Sequence, residues 1–500
     1  MATEREYKFA VTADWEAPPL DGLCLTDPLT TVEQTATYYD TADLRLSRAG
    51  ASLRYRDDDG WTVKLPVDDA SPGALVRREH TFAGAPGTPP AAALELVAAR
   101  VRTARLTPVA RLHTSRQTQT LRAPASTGGL VAGQEIGVLT DDTCTVLDGA
   151  VPGRFREVEL EVAPDAPDDA LDPVASCVRA SGGSDADPRP KVTRALGPAA
   201  SEAPDVVSYV VSEPATVAAV IRYACSDAVA KLIANDPVVR IGDDIEGVHQ
   251  ARVATRRLRS HLRTFHALLE PEWAEALREE LGWLGDELGA VRDADVLLER
   301  LRGRVAALDE ADRAPAQRIL DRISADQAAA RAILLDGLRS RRYLELLDRL
   351  VDAAHRPRVA LRASDDDDDV LRALVRKPWR QLRNAVRALP DPAPDPALHA
   401  VRIRAKRARY AAEVMEPAFG RPARDFAKAL TRVQDVLGEH QDAVVAGTWL
   451  RATALSLGDP AAVYAAGELG AAERAAADAS RAAWPEAWRA ASRRSLRRWL

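Results

Sequence analysis

The chain begins MATEREYKFA, where Glu4, Glu6 and Lys8 alternate with Arg5 and Tyr7. In an extended strand, residues two apart share a face. This spacing therefore gives one face that reads Glu, Glu, Lys. The alternation returns in LRYR (Arg54, Arg56), in WTVKLP (Thr62, Lys64), in VRRE (Arg77, Glu79) and in REVELEV (Glu157, Glu159, Glu161). Two arrangements fit. In the first, the charged faces meet water and the Val/Leu faces meet a core. In the second, the apolar faces point outward to packing elements, and the charges line the inside of a closed barrel. Repetition over several strands favours the second. A lumen of both signs suits a polyanion carried with divalent cations. Carboxylates hold Mg²⁺ or Mn²⁺ through hard oxygen ligands. Arg and Lys hold phosphate oxygens, and Arg can do so through two hydrogen bonds at once. Such a lumen is costly to dry, so it stays wet without a ligand.

A second set of charges has a different period. HQARVATRRLR (249–259) and HAVRIRAKRAR (399–409) superpose, with His at zero, bases at +3, +7, +8 and +10, and a β-branched residue at +4. Neither block contains an acid. At 100° per residue the His, +3 and +7 positions fall within about 60° of one another, with +8 and +10 to either side. Ala251, Leu258, Leu262 and Phe265 fall opposite in the first copy; Val401, Ala408, Ala412 and Met415 do so in the second. Each block thus predicts an amphipathic helix with a basic stripe. Further on, DELGAVRD (286–293) matches DVLGEHQD (435–442), which marks an internal duplication with a pseudo-two-fold relation. These matched segments read as helix ends and inter-helix salt links. The stripes suit a polyanion. Nucleic acid is the alternative, but no stacking ladder or nucleic-acid module accompanies them.

The elements that must carry these charges divide the chain. At 500 residues it is too long for one ordinary core. To about Leu196 apolar residues alternate, which predicts an antiparallel sheet; DDDG (57–60) reads as a hairpin turn, and helical pattern is confined to about 88–101 and 168–183. After about Ser201 the period becomes 3.6 nearly to Leu500, which predicts helix pairs. The run Asp365–Asp369 reads as a solvated loop. The net charge of −6 hides the clustering of arginine into short blocks. No apolar run is long enough for a membrane span, and the polar N-terminus does not read as a secretory signal. The four cysteines, Cys24, Cys144, Cys177 and Cys225, follow no metal-ligand spacing and read as reduced thiols. A cytoplasmic protein is expected.

The first set of motifs resembles the CYTH domains of the triphosphate tunnel metalloenzymes. Glu4, Glu6 and Lys8 match their ExExK motif; Tyr39-Asp40-Thr41 matches Y-[YF]-D-T, and Gly50, Leu53, Arg54 and Arg56 match GxxLRxR. Lys64-Leu65-Pro66 and Arg77-x-Glu79 follow in order. The resemblance adds Arg116 in TSRQ, Asp141 in TDD, and Lys191 in PRPKVTRAL, where Pro190 stands at a position the family often fills with Ser. It implies a tunnel of eight antiparallel strands that hydrolyses a linear triphosphate with Mg²⁺ or Mn²⁺. The metal ligands implied are Glu4, Glu6, Asp141, Glu157 and Glu159, with Glu79 as a further candidate. The phosphate clamps implied are Lys8, Arg54, Arg56, Lys64, Arg116 and Lys191; Arg77 is either another clamp or a salt partner of Glu79.

The two helical blocks resemble the CHAD family, whose two similar bundles flank a basic groove that binds inorganic polyphosphate. The set carried over is His249, Arg252, Arg256, Arg257 and Arg259, then His399, Arg402, Lys406, Arg407 and Arg409, with Arg263 and Arg404 as outer contacts. The domains expected are residues 1–197 for the tunnel, 198–208 for a linker and 209–500 for the helical domain, in halves of about 209–355 and 370–500. Together the resemblances imply a tripolyphosphatase that binds polyphosphate, lies in the cytoplasm or at polyphosphate granules, and has neither membrane nor nucleic acid as its partner. The alternatives are an adenylate cyclase, a thiamine triphosphatase, or a non-enzymatic polyphosphate scaffold.

Overall fold

Alternation becomes sheet in the first part of the chain and the 3.6 period becomes helix in the second. The computed structural model describes residues 6–66, 77–125, 130–186, 190–360 and 367–500. The chain divides into two compact units, Met1–Asp205 and Val206–Leu500.

In the first unit the strands are β1 (Glu6–Val11), β2 (Leu25–Thr26), β3 (Thr30–Asp40), β4 (Ser52–Arg56), β5 (Gly60–Pro66), β6 (Arg77–Phe82), β7 (Thr107–Arg122), β8 (Glu135–Asp148), β9 (Arg154–Val162) and β10 (Ser184–Asp185). The helices are α1 (Arg45–Arg48), α2 (Ala91–Val101), α3 (Asp172–Ala180) and α4 (Val192–Leu196). The sheet order is β10-β1-β9-β8-β7-β3-β4-β5-β6, with β2 added to β7. Eight longer strands form the expected antiparallel sheet, curled into a half-barrel. Among the described residues no ladder joins β6 to β1 or β10.

Residues opposite each other on antiparallel strands share a face. The register pairs Glu6 with Glu161 and Lys8 with Glu159, Arg116 with Asp142, Arg54 with Thr62, and Lys64 with Glu79. The charges therefore lie together on the concave face. The opposite face is apolar: Phe9, Val158 and Leu160 pack against Val174 and Val178 of α3. Trp61, fully buried, packs against Tyr39 and Tyr55 with ring centroids 4.9 and 5.3 Å away. α4 covers part of the concave side, where Val192, Ala195 and Leu196 meet Ala36, Tyr38, Ala110 and Leu112. The DDDG turn is present. Gly60 has φ +72°, and a Cβ there would lie 2.8 Å from the Phe82 carbonyl oxygen.

Asp40 fixes the link from β3 to β4. Its buried carboxylate accepts from the main-chain N–H of Thr41 (2.7 Å), Leu46 (2.9 Å) and Ser47 (2.8 Å), and from the Ser47 hydroxyl (2.8 Å). This holds α1 and with it the start of β4. Removing the acceptor strands several buried donors, so Asp40→Ala is expected to destabilise the first unit by about 2–4 kcal/mol. Calorimetry that separates the two units' transitions checks this.

The second unit holds α5 (Val217–Ile241), α6 (Ile245–Thr264), α7 (Pro271–Ala306), α8 (Glu310–Arg339), α9 (Arg341–His355), α10 (Asp367–Arg387), α11 (Asp395–Glu413), α12 (Glu416–Phe419), α13 (Arg421–Ala454) and α14 (Pro460–Ala491). The repeated blocks lie on α6 and α11, which pack on each other. The residues expected on their apolar faces, from Ala251 to Phe265 and from Val401 to Met415, are buried. The matched DxLGxxxD segments lie inside the long helices α7 and α13, not at helix ends. Their glycines make room for arginine: a Cβ at Gly289 would lie 3.6 Å from Arg252 Nε, and one at Gly438 3.7 Å from Arg402 Nε. Asp367–Asp369 form the first turn of α10 and are not loop, as suits acids at a helix N-terminus; Asp365 and Asp366 lie outside the described residues. Among the described residues no helix is long and apolar enough to cross a membrane, and all four cysteines are unpaired.

Candidate functional site

The curled sheet encloses a cavity of about 260 Å³. Its walls come from nearly every long strand: Glu6 and Lys8 on β1, Tyr38 on β3, Arg54 and Arg56 on β4, Lys64 on β5, Glu79 on β6, Arg116 on β7, and Glu159 and Glu161 on β9. Lys191 enters from just before α4. Carboxylate oxygens of Glu6, Glu159 and Glu161 lie within 4.8 Å of one another. Across the cavity Lys64 meets Glu79 at 2.6 Å, and Arg54 reaches Glu79 at 3.5 Å and Asp59 at 3.6 Å. Arg56 meets Asp59 at 3.0 Å and Asp58 at 3.1 Å.

Beneath the Glu159 side the charges interlock. Lys8 lies 3.2 Å from both Glu157 and Glu159. Lys191 bonds Asp142 and lies 3.1 Å from Glu159. Arg116 grips Asp142 at 2.6 and 2.8 Å and approaches Glu159 at 3.5 Å. Glu157 is also held by Arg194 at 2.9 Å. Burial would push the Glu159 carboxyl up, but Lys191, Lys8 and Arg116 hold it well below the carboxylate range. Asp142 is also held low: burial opposes its charge, and Lys191 and Arg116 outweigh it. Burial works against the charges of Lys8 and Lys191 too, yet their carboxylate neighbours raise both above the ordinary lysine value. Glu159, Asp142, Lys8 and Lys191 are therefore all charged at neutral pH.

In the second unit, α6, α7, α11 and α13 enclose a cavity of about 370 Å³ lined by His249, Arg252, Arg256, Arg292, Arg402 and Lys406, with Asp293 and Asp442 as its acids. Arg252 meets Asp293 at 3.1 Å, and Arg256 donates to the Tyr410 hydroxyl at 2.9 Å. Burial, then repulsion from Arg256, Arg402, Arg252 and Arg409, pushes Lys406 down to about 7. Burial and Arg292 hold His249 below its ordinary value, while His399 Nδ1 bonds the Gln441 side chain at 2.7 Å.

The CYTH domain model matches residues 2–187 and the CHAD domain model residues 224–451. The uncharacterized protein Rv2226 of Mycobacterium tuberculosis is 31% identical over 476 residues, covering 88% of this chain and 87% of its own. The chain belongs to the CYTH–CHAD proteins. Among solved structures, the CHAD-bearing chain is similar to PptA from Streptomyces chartreusis (25% identical, 55% of this chain and 100% of that one, TM-score 0.48). It is also similar to the CHAD domain from the plant Ricinus communis (27% identical, 56% and 96%, TM-score 0.44).

Most of the residues named from sequence meet in the CYTH cavity, with exceptions. Glu4 lies outside the described residues. Arg77 sits opposite Pro66 on β6, and its side chain is likewise outside them. Asp141, expected as a metal ligand, does not reach the cavity. In β8 Asp141 sits opposite Val158, on the convex side, where Arg156 holds it at 2.6 and 2.8 Å. Its neighbour Asp142 sits opposite Arg116 and faces inward. Glu157 lies behind Lys8 as a counter-ion; Glu161 takes the place beside Glu6. Tyr38 on the wall and Asp142 beneath it carry no signal in the sequence pattern, whereas Glu161 belongs to the REVELEV alternation but lies outside the ligand set the resemblance implied.

In the CHAD unit His249, Arg252, Arg256, Arg402 and Lys406 share the groove, and His399 adjoins it through Gln441. Arg257 does not join them. It reaches Glu413 at 3.4 Å and lines a separate cavity with Tyr223 and His261. Adjacent helical residues point about 100° apart, and Glu413 holds Arg257 on the side away from Arg256. Arg259 and Arg407 are exposed, and both lie within electrostatic range of Arg263. Arg409 is held by Glu413 at 2.6 Å and Gln434 at 2.9 Å.

Proposed function

We propose that the CYTH unit hydrolyses a linear triphosphate, inorganic tripolyphosphate foremost, and that the CHAD groove binds inorganic polyphosphate. One observation carries the reading. Three carboxylates within 4.8 Å of one another share a cavity with Lys8, Arg54, Arg56, Lys64, Arg116 and Lys191. An all-oxygen donor set suits a hard divalent cation. Glu6, Glu159 and Glu161 would hold Mg²⁺ or Mn²⁺, which supplies charge neutralisation on a phosphate oxygen when bound. The remaining work belongs to the chain. Arg54, Arg56 and Lys64 grip one end of the substrate; Lys8, Arg116 and Lys191 grip the other. Asp142 and Glu157 keep the inner cations charged and in place. Phosphoryl transfer needs chiefly such positioning and electrostatic stabilisation, so a Ser or Cys nucleophile is not required. A polyphosphate-binding CHAD groove would bring the enzyme to phosphate-rich granules in the cytoplasm.

The test compares phosphate release from tripolyphosphate, ATP, thiamine triphosphate and long-chain polyphosphate, with Mg²⁺, with Mn²⁺ and with chelator. Release from tripolyphosphate that requires metal is expected. Turnover of ATP to a cyclic product, or no release from any substrate, overturns the reading.

A further inference from the structure

A third acid-free basic stretch stands outside both sites. From Val370 to Arg387 α10 contains no acid, and neither does the segment from Ala487 to Leu500. Arg380, Arg383 and Arg387 recur at spacings of three and four, so they share one face of α10. The second segment contributes Arg493, Arg494 and Arg498. All six are exposed except Arg383, which is half-buried. None of the six makes an ion pair among the described residues, and Arg383 Nε is buried without a hydrogen-bond partner.

The two segments are pinned together by an aromatic cluster. Trp379 of α10 stacks on Trp488 of α14 with centroids 5.3 Å apart and meets the edge of Phe426 at 5.4 Å. Trp499 packs against Phe419 at 5.2 Å. Arg497 lies 4.9 Å over the Trp379 ring, and Arg376 donates to the Leu500 main-chain oxygen at 2.7 Å. Arg497 is thereby held near Arg383 and Arg494, whose charges, after burial, lower its proton affinity. Among the described residues no side-chain carboxylate pairs with these six arginines.

The duplication shows that this is not a requirement of the fold. At the offset of 150 that relates His249 to His399, Leu371, Val375, Trp379 and Leu382 of α10 match Ile221, Cys225, Val229 and Leu232 of α5, all buried. At the same offset Arg380, Arg383 and Arg387 correspond to Ala230, Ile233 and Pro237. The basic face belongs to the second half alone.

We infer that the face made by Arg380, Arg383, Arg387, Arg493, Arg494 and Arg498 is a second polyanion-binding surface that takes the part of a long polyphosphate chain extending beyond the groove. This rests on the groove reading for its ligand. The charge complementarity is unpaired arginine against dense phosphate. α10 packs along α11, which carries His399, Arg402 and Lys406, so the two basic regions lie on neighbouring helices. Nucleic acid fits less well because the aromatic rings here are spent on one another, leaving no stacking platform. An anionic bilayer fits less well because no large hydrophobic residue of α10 or of the segment after α14 is exposed.

The test uses the full chain with Arg380, Arg383 and Arg387 changed to Gln, and separately Arg493, Arg494 and Arg498 changed to Gln. Binding of a short polyphosphate and of a long one is measured over a salt series, with circular dichroism to confirm folding. Long-chain affinity is expected to fall at least about tenfold, and the salt slope by about 0.7 per arginine removed, with short-chain affinity unchanged. Unchanged long-chain affinity overturns the surface. Duplex DNA that displaces long polyphosphate from the parent, and loses its own affinity in the variants, assigns the face to nucleic acid instead. A groove variant, Arg252→Gln with Arg402→Gln, separates the two claims. It should abolish short-chain binding. If the parent binds no short chain, the groove reading fails, while the loss of long-chain affinity still judges this face.

Discussion

Glu159→Gln is expected to slow triphosphate hydrolysis by about 10²–10³-fold, the cost of deleting one preorganised electrostatic group. Triphosphate binding should stay as tight or tighten. The reason is the double position of Glu159. It shares the carboxylate group with Glu6 and Glu161, and it also faces Lys8, Lys191 and Arg116. Glutamine keeps the shape and removes the charge. Those three cations retain Glu157 or Asp142 as partners, so they stay in place and become freer to meet phosphate. The loss therefore belongs in kcat and in the metal concentration required, not in KM. Asp142→Asn should also slow the reaction, about 10–100-fold, because Arg116 and Lys191 lose the buried anchor that positions them. Asp141→Asn should change it by less than about twofold, since that residue serves Arg156 on the convex side. The Glu159 carboxyl is held below its ordinary value of 4.5. Its contribution to stability is present above that pH and is lost as pH falls below it. The Gln variant should show a shallower acid destabilisation of the first unit. Steady-state phosphate release and calorimetric titration with substrate check the kinetic split. A parent-like rate in Glu159→Gln would remove the carboxylate group from the machinery.

The Asp141 and Asp142 pair shows where the sequence is readable and where it is not. Period-two alternation is strong evidence wherever charged and apolar residues take turns, as in REVELEV, because a one-residue slip would drive Val158 and Leu160 into the wet cavity. In TDDTC two acids are adjacent, and parity is decided only by which residue lies across from Glu157 and Arg116. That register comes from partner strands distant in sequence. The helical stripes have the same limit. Positions 0, +3 and +7 name a face, but whether +8 joins it depends on what packs beside the helix. Glu413 and His261 draw Arg257 to the other side. The repeated glycines illustrate a third kind of gap. Gly289 and Gly438 stand out as matched residues, yet their purpose, clearance for Arg252 and Arg402, exists only once α7 lies on α6 and α13 on α11. Local pattern named the chemistry in each case, and contacts between elements chose which residues perform it.

Lys406→Met is expected to act in two opposite directions: to stabilise the free CHAD unit at neutral pH and to weaken its polyphosphate binding about tenfold. Burial, then the charges of Arg256, Arg402, Arg252 and Arg409, push Lys406 from 10.5 down to about 7. Between those values the unfolded chain holds a proton that the folded unit does not. Stability from this group therefore rises with pH across that window and is lowest below about 7. Methionine has similar length and no charge to desolvate, so it escapes the cost and flattens that slope. Phosphate reverses the balance. A polyanion in the groove offsets the surrounding arginines, restores the lysine charge and draws in up to about one proton on binding. Affinity of the parent should thus strengthen as pH falls from about 9 to about 6, and the Met variant should lose most of that dependence. His249 is also held low, by burial and then Arg292, and a polyanion favours its proton as well, so the Met variant keeps the part of the pH dependence that belongs to the histidine. Titration calorimetry in buffers of different ionisation enthalpy counts the protons taken up, and the melting temperature of the free unit reads the stability change. Binding near neutral pH without proton uptake, in a parent whose Met variant melts no higher, would show that the groove keeps its lysine charged with or without a guest.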